Sequence, residues 1–167
     1  KLGGQTISLM GRAQFSYGKG YWDEYWAEVY GSSGQPCFLS VDEGDLALQR
    51  RLPRDESLPM AEVGRGGQSK LIEPNFKQMK IGQTLVFHQQ IYYLQEFERA
   101  QCIALEGAWP EDLAIGEVYN YLNAADGQGG ILSAEIWGDP GREDLAWFIG
   151  EWHSPFDVEI SGKRGRS

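Results

Sequence analysis

YWDEYWAEVY (residues 21–30) sets five aromatic rings and three carboxylates in ten positions. Its reading as helix or strand decides the fold. On a helix, Trp22, Tyr25, Trp26 and Val29 would form one apolar stripe. On a strand, Trp22, Glu24, Trp26, Glu28 and Tyr30 face one way, and Tyr21, Asp23, Tyr25, Ala27 and Val29 the other. The strand face mixes rings with two glutamates, so its pattern is the less clean one. Two features outweigh this. YGKG (17–20) and GSSG (31–34) close the stretch at hairpin length, and its aromatic residues suit a pleated surface. A strand is predicted, with a bulge near Asp23–Glu24 that re-aims the side chains.

The rest of the chain carries the same texture. Its 167 residues suit one domain, or two small halves sharing a core. The 22 glycines supply turns, and the 6 Trp, 8 Tyr and 7 Phe favour half-buried strands. Turn clusters recur every ~8–12 residues, as in a meander, sandwich or barrel. Strands are predicted at about 5–10, 12–17, 21–30, 36–41 and 45–50. Residues 51–70 hold two prolines, three glycines and no periodicity, and read as a long loop. In IYYLQEFERAQCIALEG (91–107), residues 91, 93, 97, 103 and 105 share one apolar strand face, which favours a long bent strand, or two consecutive ones, over a helix. VYNYLNA and ILSAEIW flank ADGQGG as a hairpin, and LAWFIGEWH and FDVEI supply the last strands. GGQTISLMG (3–11) is echoed by IGQTLVFHQ (81–89), so the halves share a plan. The predicted class is all-β and mainly antiparallel, with two related halves packed as one compact barrel- or sandwich-like unit. The divisions are a first β-rich half over 1–50, an irregular connector over 51–80, a second half over 81–160 and a basic tail over 161–167.

Charge and cysteine usage exclude more than they assign. With 24 acids against 15 bases the net charge is −9, which repels nucleic-acid backbones and attracts cations or a basic protein. Cys37 and Cys102 lie far apart without a CxxC, and read as two buried free thiols. No apolar run approaches the ~18–20 residues that span a bilayer. No signal-peptide pattern shows either, so a cytoplasmic home is expected, with membrane association only through partners.

Catalytic patterns are absent. There is no GxSxG elbow, and GRGGQ lacks the lysine of a phosphate-binding loop. His88 and His153 have no third ligand at a recognisable spacing, so neither a metal nor a cofactor is expected. Glu24 and Glu43 beside Trp22 are the residues a glycoside hydrolase would need, a carboxylate pair beside a sugar-stacking ring. Acids on strands and turns more often pair with bases or face water. Glu106 and Glu135 sit in apolar strands, where a buried acid is either paired or functional, and Arg12 and Arg99 are candidate partners.

The motifs also carry a likeness. MGRAQFSYGKGYWDEYWAEV followed by DEGD, then ALEGAWP, IGEVYNY and LSAEIWG, resemble the bacterial domain family of unknown function 4178 (DUF4178) over about residues 3–152. The chain departs from it at Phe38, where a tryptophan is expected, and in its long connector. The resemblance implies a β-rich domain without established catalytic residues, similar to components encoded near membrane-stress and polyamine-related genes. It marks Arg12, Trp22, Glu24, Tyr25, Glu43, Glu106 and Glu135 as candidate binding positions. The expected function is a non-catalytic binding module for a protein partner or a cationic small molecule such as a polyamine. The rival readings are a hydrolase using Glu24 and Glu43, and a β-barrel carrier of a small apolar ligand.

Overall fold

The computed structural model describes residues 6–18, 20–29, 36–42, 44–54, 57–64, 66–109, 113–138 and 144–154. Glu43, the FDVEI strand (156–160) and the tail over 161–167 lie outside these residues. The protein is nearly all-β. Among the described residues there are eleven strands and two short 3-10 turns, Gly66–Gln68 and Phe76–Gln78. The strands are β1 (Ile7–Tyr17), β2 (Gly20–Val29), β3 (Pro36–Asp42), β4 (Asp45–Arg51), β5 (Met60–Val63), β6 (Lys70–Ile72), β7 (Thr84–Phe87), β8 (Gln90–Gly107), β9 (Val118–Ala125), β10 (Gly130–Trp137) and β11 (Asp144–His153). Both segments of the internal echo therefore open strands, β1 and β7.

The chain divides into two compact units, neither of them one stretch of sequence. The first comprises residues 1–50, 101–117 and 151–167, and the second 51–100 and 118–150. The 18-residue β8 passes from the second unit into the first. At ~3.3 Å per residue it is about 60 Å long, more than one small sheet needs.

In the first unit β1 to β4 form an antiparallel meander. The expected strands at 5–10 and 12–17 are one strand, interrupted by a bulge between Leu9 and Gly11 opposite Trp26–Ala27. The bulge is therefore on β1, and β2 runs without the irregularity expected at Asp23–Glu24. The position is dictated by packing. The end of β8 lies against β1 there, with the Ala108 amide donating to the Met10 carbonyl at 3.2 Å. A Cβ on Gly11 would fall on the Ala108 carbonyl, and one on Gly107 would approach the Met10 oxygen at 2.8 Å. Two glycines let the backbones close to this distance.

Cys37 and Cys102 are free and buried, as expected. Burial pushes both thiols up from their ordinary value, and it does the same to the Tyr92 phenol, with the Asp126 charge adding to the shift. A raised pKa keeps the folded state protonated where the unfolded chain has already lost its proton. Stability is thus full below the ordinary thiol and phenol values and falls as the pH rises through them. Denaturant titrations from pH 7 to 10.5 should show this decline, and a thiol reagent at pH 8 should label both cysteines only after unfolding. Full labelling of the native protein would contradict their burial.

The second unit orders its strands β11-β10-β9-β8-β7-β5-β6. Its core packs Leu85, Phe87, Tyr92, Leu94, Leu122, Ala124, Leu132, Ala134 and Trp147. Leu85, Leu94, Leu122 and Leu132 are fully buried, each worth about 1.5–3 kcal/mol. The stretch expected to be an irregular connector contributes β5, β6 and both 3-10 turns.

The long-strand reading of 91–107 holds, but its apolar face is reassigned. Tyr92 and Leu94 turn inward, while Ile91 and Tyr93 are exposed at 43% and 48%. Hydropathy misleads here because Tyr92 and Tyr93 are equally apolar, and only the pairing of Leu85 with Tyr92 fixes the face. Leu94 and Phe97 then pack against the same cluster although they are three residues apart. Glu96 lies instead with Tyr121 and Asn123, which alternate along β9 with the core residues Leu122 and Ala124.

Candidate functional site

Of the seven candidate positions, the first unit brings Arg12, Trp22, Glu24, Tyr25 and Glu106 to β1, β2 and the end of β8, Glu135 stands on β10 in the second unit, and Glu43 falls outside the described residues. Strand alternation splits the first set. Arg12 lies opposite Tyr25, and its guanidinium holds the Asp23 carboxylate at 2.8 Å and Glu106 at 3.7 Å. The hydrogen bond from Arg12 to Asp23, with the Asp23 charge behind it, raises the guanidinium pKa further above its ordinary value. These groups are half-exposed or exposed, so the cluster is a surface ion-pair network of the kind expected for strand acids. Glu106 is structurally paired, with Arg12 as its partner.

The opposite face of the same strands is built differently. Register places Gly11, Trp26, Phe38 and Gln49 in one row across β1 to β4, and Ala13, Glu24, Ser40 and Ala47 in the next. Glu24 is 9% exposed, so of the two expectations for this acid, facing water or pairing across strands, the first is corrected. It rises from a floor of small side chains, because Ala13, Ser40 and Ala47 flank it on three strands. Trp22 and Trp26 stand two residues to either side, about 7 Å along the strand in each direction. Trp22 is set in place by Phe15, its directly opposed neighbour, at a ring separation of 5.0 Å and an interplanar angle of 24°. Glu24 and Gln49 each engage a neighbouring group. A carboxylate has about four acceptor positions. The Trp26 indole N–H differs: it is buried, and no described group accepts its hydrogen bond.

The second unit holds a polar face of its own, on β8, β9 and β10. Tyr121 donates its hydroxyl to one Glu96 oxygen and Asn123 its amide to the other, both at 2.9 Å. The Ser133 hydroxyl donates to Asn123 at 2.7 Å across the β9–β10 pair. Glu135, opposite Tyr121, accepts from the Trp137 indole at 3.1 Å, and Trp137 stacks on Tyr119 at 4.2 Å. Each side-chain donor here meets an acceptor. That saturation is what a structural network shows, and it sets this face apart from the one around Glu24.

A profile of the family described as Domain of unknown function (DUF4178) matches residues 1–155, nearly the whole chain. The chain belongs to the DUF4178 family. No curated protein and no solved structure matches it. Among the described residues of this DUF4178 chain, no group of three or more His, Cys, Asp or Glu side chains could hold a metal ion. Nor is any helix long and apolar enough to cross a membrane.

Several residues that shape these faces escaped the reading of the sequence. Ser40 and Gln49 complete the Glu24 face, and Glu96, Asn123 and Ser133 form the second network. For Asn123 and Ser133 a signal existed, since both are polar residues inside otherwise apolar strands. For Glu96 none did, because its partners Tyr121 and Asn123 lie 25 and 27 residues away along the chain.

Proposed function

We propose that this DUF4178 chain is a non-catalytic binding module that takes a cationic small molecule, an alkylammonium of the polyamine class, on the Trp22–Glu24–Trp26 face. The observation that carries this reading is a buried carboxylate standing between two tryptophans on one sheet face. Indole rings attract a cation through their π faces, and a carboxylate receives its N–H donors in charge-assisted hydrogen bonds. The stacking of Phe15 on Trp22 supports it by pre-setting one wall, which reduces the ordering cost of binding. The net charge of −9 would draw cations towards the chain.

Calorimetric titration with spermidine and with n-pentylamine tests the reading. Both should bind, and Glu24→Gln should weaken each about tenfold or more, because the lost interaction is a charge-assisted one. Binding should also weaken between 50 and 300 mM salt. A folded protein that gives no heat and no thermal shift with either amine overturns the proposal.

A further inference from the structure

The Trp26 indole says more about the ligand than its charge. A buried N–H without an acceptor is costly, and nearly all buried donors in native proteins are satisfied. Trp26 lies on the face that presents Glu24, and no described protein group answers its N–H. We infer that the preferred ligand is a bifunctional amine, whose ammonium meets Glu24 and whose neutral oxygen, an amide carbonyl or hydroxyl, accepts from Trp26 Nε1.

This rests on the proposed function and narrows it. The two side chains leave the strand at positions about 7 Å apart, so amine and oxygen should be separated by a short chain of four or five bonds. A plain polyamine is fully protonated near pH 7 and offers only donors. It can donate to Glu24 but cannot accept from the indole. An acidic oxygen is the poorer acceptor here, because a ligand carboxylate would lie close to Glu24 and be repelled by it.

A matched pair of ligands isolates the effect. n-Pentylamine and 4-aminobutanamide have the same charge and similar length, and only the second carries a carbonyl. The amide should bind about tenfold more tightly to the wild-type protein, the value of one well-made buried hydrogen bond. In Trp26→Phe, which keeps a ring but removes the donor, the ratio of the two affinities should fall to about one. Equal affinities in the wild-type protein overturn the inference and leave the cation-binding reading intact. So does an amide advantage that persists in Trp26→Phe. Failure of both amines to bind overturns the cation-binding reading itself. The wild-type ratio decides the matter even if the variant does not fold.

Discussion

Gly11→Ala is expected to lower the melting temperature by roughly 6–12 °C, equivalent to about 3 kcal/mol for a chain of this size. The added Cβ would fall on the Ala108 carbonyl, which is main chain and has no rotamer with which to move aside. Gly11 also lies at the β1 bulge, so moving it disturbs its pairing with Trp26 across β2. Relief would require parting β1 from the end of β8 and losing the bond between the Ala108 amide and Met10. Gly20→Ala is the matched control, because its Cβ would meet nothing nearer than 3.9 Å. It should melt within about 0.5 kcal/mol of the wild type. A Gly11→Ala protein with unchanged stability would show that the two backbones do not approach so closely.

Glu96→Ala is expected to cost about 2–4 kcal/mol, measured by urea denaturation with an unchanged slope. The loss would leave the buried Tyr121 hydroxyl and the Asn123 amide without their acceptor. Glu96→Gln keeps one oxygen, so its cost should be about half as large. Ser133→Ala removes only the outer donor of the network and should cost about 1 kcal/mol. Glu96→Ala and Ser133→Ala are joined through Asn123, so their combined effect should differ measurably from the sum. An exactly additive pair, or a Glu96→Ala protein as stable as the wild type, would mean that the network is not formed.

The strands were legible because turn chemistry is local. YGKG and ADGQGG mark hairpins wherever they occur, and the residues between them are of the right length and type. Alternation identified Trp22, Glu24 and Trp26 as sharing a face, and the structure keeps them together. The sequence did not say which face would be buried. In β2 both faces carry rings and acids, and in β8 Tyr92 and Tyr93 are the same residue type, so hydropathy has no preference. Neighbouring strands made the choice, through Ala13 and Ser40 beside Glu24 and through Leu85 beside Tyr92.

By itself, then, the sequence determined the β class, the hairpin positions, the two free thiols and the row Trp22–Glu24–Trp26, all of which depend on neighbours along the chain. Tertiary structure alone decided that Glu24 is buried while Asp23 pairs with Arg12 at the surface. It also decided that Gly11 meets Gly107, that Glu96 turns towards Tyr121 and Asn123, and that the Trp26 indole has no described acceptor. Each of these depends on register or contact between strands distant along the chain. Register leaves no mark in composition or periodicity, yet a shift of one residue moves every side chain of a strand to the other face.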